Sequence, residues 1–199
     1  MTVDANADAA RETLGPTFTY GDARKAGVVD RCLYAWRGNG RIIALGGGVY
    51  RWADEPPANL DLIEIAERVP RATLCLETAL AHHDLIDVIP TATDVAVPRG
   101  SHRPTLTAAI RLHQFHRETF DIGRDEIEVG ARRPLGIYSP ERSIIDIVRL
   151  RHAEGADLAW EGLRRWLSRS PRNTGQLVTM AAKFKGAETP IRSALEVLL

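Results

Sequence analysis

Residues 18–52, near the N-terminus, constrain the fold more than any other part of the chain. They read FTYGDARKAGVVDRCLYAWRGNGRIIALGGGVYRW. Thr19 is suited to cap a helix that runs to about Ala26, and Gly27 is suited to end that helix in a left-handed turn. A second helix, a Gly-Asn-Gly turn and a tight β-hairpin follow. This order of elements is typical of a winged helix-turn-helix, which places one helix in a DNA groove.

The second helix has two faces with different chemistry. Its apolar stripe has the i, i+3, i+4, i+7 spacing of a buried face and consists of Val29, Cys32, Leu33 and Trp36. The opposite face carries Asp30, Arg31, Tyr34 and Arg37. We therefore expect Arg31, Tyr34 and Arg37 to reach base edges or phosphates.

The predicted hairpin has strands at Ile42–Leu45 and Val49–Trp52, joined by three glycines. Glycines at its tip would let the backbone approach a phosphate closely. Arg41 and Arg51 flank the hairpin and are predicted to contact phosphates rather than bases. The full set of predicted DNA-binding residues is Lys25, Arg31, Tyr34, Arg37, Arg41 and Arg51.

The charge of this segment leaves other interpretations open. Residues 1–57 contain seven basic and seven acidic side chains, so their net charge is zero. Most DNA-binding modules are more basic. A protein-binding module and a purely structural module therefore remain alternatives to a DNA-binding one.

The composition places the chain among globular proteins. Of its 199 residues, 44% are hydrophobic and 26% are charged, as in an ordinary globular protein with a core. Cys32 and Cys75 lie in apolar helical stripes, which favours reduced thiols and a cytoplasmic location. The acidic N-terminus does not resemble a signal peptide, and no apolar run reaches membrane length, so we expect no membrane association.

The dipeptide Pro56-Pro57 predicts a stiff connector and a domain boundary. We expect a winged helix-turn-helix domain at 1–57 and a larger α+β domain at 58–199. Predicted helices of the second domain begin at about Leu62 and Thr73. Its predicted strands are Asp94–Val97, Ile110–Phe115, Glu126–Val129 and Leu135–Tyr138. Helices return at Ser139 and continue to the C-terminus, so the predicted fold class is α+β.

Four segments in this order carry a resemblance to a known family. They are the hairpin glycines with Val49-Tyr50, PRATLCLETALAHHDLIDVIP from Pro70, DVAVPRGSHRP from Asp94, and GIYSPERSIIDIVRLRH from Gly136. Together they resemble the AbiEi family of antitoxins from type IV toxin–antitoxin systems, over nearly the whole chain. The winged-helix segment departs from that family in having no excess of positive charge.

The resemblance implies a function and two partners. It implies a winged helix that binds inverted repeats in the promoter of its own operon and represses transcription. It also implies a second domain that neutralises a nucleotidyltransferase-like toxin, either directly or indirectly. An atypical serine kinase that inactivates the toxin by phosphorylation and a winged-helix regulator with no toxin partner are the alternatives.

The sequence offers little evidence of catalysis. His82-His83-Asp84 and the pair His113 and His116 lack a Cys or acidic set that would complete a metal site. The three hairpin glycines are not a phosphate-binding loop, because no Lys-Ser/Thr and no helix follow them. We therefore expect no catalytic residues, no metal and no cofactor.

Two further groups of charged residues are candidates for contact with the toxin or with additional DNA. The better candidate is the loop PRGSHRP with Arg99, His102 and Arg103. The other is the helix face of Arg142, Asp146 and Arg149, with Arg132 and Arg133 nearby in sequence, although the spacing of this face favours a solvated salt-bridge ladder.

Overall fold

The computed structural model describes residues 3–169 and 173–199, with side chains from residue 7 onward. The fold is α+β, as the sequence predicts, with helices on both sides of the mid-chain strands in chain order. Its contacts divide the chain into two compact units. Unit 1 comprises the described residues up to Pro70 together with Pro104–Ala109 and Ile127–Leu135. Unit 2 comprises Arg71–Arg103, Ile110–Glu126 and the described residues from Gly136 to Leu199.

Unit 1 begins with three helices and a small antiparallel sheet. The elements are α1 (Val3–Leu14), β1 (Thr17–Thr19), α2 (Tyr20–Lys25), α3 (Asp30–Gly38), β2 (Ile42–Ala44) and β3 (Val49–Trp52). The strand order is β1-β3-β2, so the strand last in sequence lies in the middle. Phe18 pairs with Tyr50 and Ile43 pairs with Arg51. The helices α2 and α3 and the hairpin β2–β3 lie where the sequence predicts them, whereas α1 and β1 were not predicted.

Local hydrogen bonds explain where α2 begins and ends. The Thr19 side chain accepts a hydrogen bond from the Asp22 backbone N–H, and the Asp22 carboxylate accepts one from the Thr19 N–H, which completes a capping box. Gly27 has a φ of 79°, a left-handed conformation that costs a glycine little. Both predictions for this helix are confirmed.

Aromatic rings fill the centre of unit 1. The Trp52 ring lies 5.4 Å from both the Phe18 and the Trp36 ring centroids, and each of the three side chains is at most 3% exposed. Val28 also packs in this core. The predicted burial of Val29 is wrong, because Val29 is the N-cap of α3 and is 53% exposed. Its neighbour Val28 takes the core position.

Unit 1 extends beyond the predicted boundary at Pro56-Pro57. Helix α4 (Leu60–Arg68) follows that dipeptide, and its Ile63 packs with Leu45 and Val49 of the hairpin. Burial of Ile63 against the hairpin holds α4 in unit 1. The contacts therefore differ from the predicted division into 1–57 and 58–199, and the later segments 104–109 and 127–135 also belong to unit 1.

Unit 2 contains a five-stranded sheet. Its strands are β4 (Thr73–Leu74), β5 (Thr93–Pro98), β6 (Ile110–Phe115), β7 (Arg124–Ile127) and β8 (Leu135–Tyr138), in the order β6-β5-β4-β8-β7. The predicted bounds of β6 and β8 are confirmed, while β7 begins two residues earlier than predicted. The helix predicted from Thr73 is wrong at its start, because Thr73 pairs with Ala96 and Gly136 in the sheet. The helix begins three residues later.

Seven helices of unit 2 lie among the described residues. They are α5 (Leu76–His82), α6 (Arg117–Phe120), α7 (Pro140–Arg149), α8 (Arg151–Glu154), α9 (Ala156–Ser168), α10 (Thr174–Ala181) and α11 (Glu188–Leu198). Ser139 caps α7 by accepting the Arg142 N–H, as predicted. The α7 residues Ile144, Ile145 and Ile147 are fully buried at the centre of the core. Among the described residues, no helix has the combined length and apolarity needed to cross a membrane.

Candidate nucleic-acid interface

Helix α3 presents two chemically different faces. Leu33 and Trp36 are 3% and 0% exposed and lie in the core of unit 1. On the other side, Tyr34 is 66% exposed, and Arg31 and Arg37 are also exposed. Residues three apart on a helix are neighbours, so these three side chains form one continuous strip. We call Arg31, Tyr34 and Arg37 the α3 strip.

The cations of the α3 strip have no partner within the described part of the chain. Neither the Arg31 nor the Arg37 side chain forms a hydrogen bond or ion pair there. Lys25, the last residue of α2, is likewise exposed and has no such contact. Three positive charges are therefore available to a ligand on this part of unit 1.

A small polar cluster joins α2 to the start of α3. The Tyr20 hydroxyl donates to the Asp30 carboxylate over 2.9 Å, and the Arg24 guanidinium lies 3.4 Å from the same carboxylate. The hydrogen bond to Asp30 is the main cause of a raised pKa for Tyr20. Arg24 offsets the one negative charge in the first turn of α3. Sequence reasoning missed Tyr20, whose only signal was its position on the helix that precedes α3.

The acidic residues of unit 1 are mostly occupied by ion pairs elsewhere. Arg11 pairs with both Asp54 and Glu55. Hydrogen bonding to Arg11 is the main cause of a lowered pKa for Asp54. Arg41 lies 3.6 Å from Asp8. Although the net charge of residues 1–57 is zero, the charges are unevenly distributed, and the arginines of the α3 strip are not neutralised by ion pairs with described residues.

Arg51 does not have the predicted place at the surface. Its residue is 5% exposed, and its guanidinium donates to the Thr17 hydroxyl at 3.2 Å and to the carbonyls of Gly130 and Pro56 at 3.1 Å each. The Gly130 carbonyl also accepts a hydrogen bond from the Thr17 hydroxyl at 3.0 Å. Arg51 is therefore a buried structural residue, and its predicted contact with phosphate is wrong.

Arg41 is half-buried rather than projecting from the hairpin. Its backbone N–H donates to the Trp36 carbonyl at 2.8 Å, which connects the end of α3 to β2. Its side chain faces Asp8 on α1. This ion pair reduces the positive charge that Arg41 would offer to a phosphate.

The tip of the hairpin packs within unit 1. Gly46, Gly47 and Gly48 all have positive φ, so glycine is needed for the turn itself. A Cβ on Gly47 would lie 2.3 Å from the Arg68 Nε of α4. The glycines thus permit a close approach to Arg68, and their predicted approach to a nucleic-acid phosphate is not needed to explain them.

Arg132 and Arg133 hold the later part of unit 1 to α4. The Arg132 side chain forms ion pairs at 2.6 Å with both Glu67 and Asp22, and Arg133 donates to the Glu67 carbonyl at 3.2 Å. The pKa of Arg132 is raised, mainly by its hydrogen bond to Glu67. These contacts give both arginines a structural role, which reduces their availability to a partner.

The loop of Arg99, His102 and Arg103 is exposed in unit 2, as its composition predicts. The Arg99 backbone is fixed, since its N–H donates to the Phe115 carbonyl at 2.8 Å and its own carbonyl accepts from Arg117 at 2.9 Å. Within the described residues, the Arg99, His102 and Arg103 side chains make no hydrogen bond or ion pair. These three side chains are therefore available for contacts.

The charged set on α7 is not a solvated ladder. Arg142 and Asp146 are 1% and 0% exposed, and Asp146 accepts from Arg142 at 2.9 Å and from Arg149 at 2.7 Å. The Arg142 guanidinium also lies 4.1 Å from the Tyr138 ring and 4.2 Å from the Phe184 ring. A buried pair with aromatic contacts on both sides belongs to the core of unit 2.

His83 and His113 have structural contacts. The His83 Nε2 donates to the Tyr138 carbonyl at 2.8 Å, and burial is the main cause of a lowered pKa for His83. The His113 Nε2 lies 2.8 Å from the buried Asp94 carboxylate. No cluster of three His, Cys, Asp or Glu side chains suited to a metal occurs in the part of the chain that the structure describes.

Comparison with known proteins supports the fold alone. No family model matches this sequence, and no curated protein matches it either. The fold is similar to that in a solved structure titled as the RV2827C protein from Mycobacterium tuberculosis, with a TM-score of 0.54 and 14% sequence identity. The similarity covers 98% of this chain and 79% of that protein. At this level of identity the likeness extends to the fold and not to the activity.

Proposed function

We propose that unit 1 binds DNA as a winged helix-turn-helix and that α3 is its recognition helix. The order α1-β1-α2-α3-β2-β3, with a β1-β3-β2 sheet, supports the proposal, because a pair of helices followed by a β-hairpin is typical of such a module. The observation that carries the proposal is the α3 strip. An exposed tyrosine lies between two exposed arginines without partners, directly opposite the buried Leu33 and Trp36.

The chemistry of the α3 strip suits the edges of base pairs. An arginine can donate two hydrogen bonds to the O6 and N7 of guanine, and such a contact contributes about 1–3 kcal/mol of discrimination. Tyr34 adds a hydroxyl and an apolar ring. Lys25, at the end of α2, has the charge and the exposure to contact a phosphate beside the groove.

The hairpin has a supporting role in this proposal. Arg51 and Arg41 are engaged within unit 1, and the glycine tip packs on Arg68. The hairpin therefore fixes the position of α3 through the aromatic core, in which Trp36 of α3 packs against Trp52 of β3. This differs from the sequence-based expectation, in which both flanking arginines contact phosphates.

The resemblance to AbiEi antitoxins supports a target for this DNA binding. We infer that the DNA is the promoter of the protein's own operon, with inverted repeats, and that the protein represses transcription. The inferred partner of the whole protein is a nucleotidyltransferase-like toxin, which it neutralises. The alternative function, a winged-helix regulator without a toxin partner, is supported by the same α3 strip. The presence of a nucleotidyltransferase gene beside this gene would distinguish an antitoxin from such a regulator.

Gel mobility shifts with the full chain test the proposal. The protein should bind a fragment from upstream of its own gene more tightly than a shuffled fragment of equal length. The double variant Arg31→Ala, Arg37→Ala should weaken specific binding by at least about thirtyfold, from two lost arginine contacts. A matched control, Arg164→Ala with Arg192→Ala, removes the same charge from exposed positions of unit 2 and should change the affinity less than about threefold. Equal weakening by both double variants would show that charge alone, and not α3, accounts for the binding.

A further inference from the structure

A cavity of about 320 Å³ in unit 2 gathers positive charge from separate elements of the fold. Arg99 follows β5, Arg149 is the last residue of α7, and Lys183 and Lys185 lie between α10 and α11. His116, the N-cap of α6, also lines it. The volume lies at the lower end of the range for small-molecule sites. Two of the chain's three lysines are in this cavity.

Three of the four arginine and lysine side chains that line this cavity have no compensating partner among the described residues. Glu118 is the one carboxylate among its described lining residues, and its side chain is 87% exposed. Arg99, Lys183 and Lys185 are exposed, and none has a side-chain hydrogen bond or ion pair with a described residue. Like charges held close together repel one another, so an anionic ligand in the cavity would be stabilised.

The floor of the cavity is aromatic. Phe115 and Phe184 line it, and they are 7% and 6% exposed. The Arg149 guanidinium lies 4.9 Å from the Phe115 ring centroid and donates to Asp146 at 2.7 Å, which fixes its position. A fixed guanidinium beside two exposed ammonium groups presents several charge-assisted donors to one ligand.

We propose that this cavity binds a small ligand that carries several phosphate groups, such as a nucleoside triphosphate. The cations Arg99, Arg149, Lys183 and Lys185 favour a polyanion over a single carboxylate, because each additional negative group finds its own partner. The aromatic floor suits the less polar part of a nucleoside. The cavity offers a single carboxylate for a metal, so the proposal is ligand binding and includes no phosphoryl transfer.

Isothermal titration calorimetry of the full chain tests the proposal, with ATP and with inorganic tripolyphosphate as ligands at physiological salt. Both should bind with submillimolar affinity to the wild type. The double variant Lys183→Ala, Lys185→Ala should weaken binding by at least about tenfold, because each ammonium supplies a charge-assisted contact. Both lysines are exposed, so the variant should remain folded. The charge-matched control Arg164→Ala, Arg192→Ala should bind the ligands as the wild type does.

Three outcomes would overturn this proposal. The first is the absence of measurable binding of ATP and tripolyphosphate by the folded wild type at millimolar concentration. The second is equal weakening by the lysine pair and the arginine control, which would mean nonspecific attraction. The third is that neither the wild type nor the lysine variant binds the small ligands, while the lysine variant loses affinity for promoter DNA. That result would make the cavity a DNA contact. The proposal does not depend on α3, so the Arg31→Ala, Arg37→Ala variant should still bind both ligands.

Discussion

Replacement of Arg51 separates a structural role from a role in DNA binding. Its guanidinium forms three hydrogen bonds, to Thr17, Gly130 and Pro56, in a place where the residue is 5% exposed. Hydrogen bonds from a charged donor contribute about 1.5–3 kcal/mol each, although they are not additive. We expect Arg51→Ala to lower the free energy of unfolding by about 3–5 kcal/mol. That is a large part of the stability of an ordinary domain.

Urea denaturation followed by tryptophan fluorescence measures this change, since Trp36 and Trp52 report on unit 1. Arg51→Lys keeps the charge but loses the planar fork, so it should still be destabilised, by about 2 kcal/mol. Arg37→Ala, an exposed control on the α3 strip, should stay within about 0.5 kcal/mol of the wild type.

The salt dependence of DNA binding completes this test. Under conditions in which Arg51→Ala is folded, its plot of log affinity against log salt should have the same slope as that of the wild type. A lost phosphate contact would reduce the slope by about one. Wild-type stability together with a reduced slope would refute the structural assignment and restore the phosphate contact that the sequence suggested.

Three further predictions concern the core and its ionisable groups. Glu64→Ala should lower the free energy of unfolding by about 3 kcal/mol in urea titrations, because this buried carboxylate accepts hydrogen bonds from two backbone N–H groups and from one arginine side chain. A change under about 0.5 kcal/mol would contradict that role. Burial raises the pKa of the Cys75 thiol, so iodoacetamide at mildly alkaline pH should label Cys32 well before Cys75, as mass spectrometry of the native protein would reveal. Burial lowers the pKa of His83 below its unfolded value of about 6.5, so the unfolded chain binds the extra proton and stability should fall as the pH drops below about 6.5. That fall should be smaller in His83→Gln, and equal pH profiles would exclude His83 as its source.

Local signals in the sequence predicted the elements that local interactions stabilise. Ser139 and Pro140 mark the start of α7 because a hydroxyl cap and a fixed φ act within one turn. The strand at Ile110–Phe115 was also recognised from its own residues. By contrast, β4 is two residues long and exists because β5 and β8 flank it on either side, which no local pattern reveals.

The candidate site divides in the same way. The exposure of Arg31, Tyr34 and Arg37 follows from helical periodicity, which the sequence carries. The burial of Arg51 depends on Gly130, 79 residues later, and the burial of Arg142 depends on the Phe184 ring, which also lies far along the chain. Arginine is mostly an exposed residue in proteins, so strand and helix patterns predict it at the surface. Burial that depends on contacts with distant residues cannot be predicted from such local patterns.

Photo-crosslinking from position 34 tests the central claim most directly. A photoreactive phenylalanine analogue in place of Tyr34 keeps an aromatic ring at a residue that is 66% exposed on α3. The matched control carries the same analogue in place of Val197, which is 84% exposed in unit 2. If α3 enters the groove of the promoter DNA, irradiation should link position 34, and not position 197, to the fragment. If both proteins shift the fragment in gels and position 34 forms no covalent adduct, α3 is not the recognition helix.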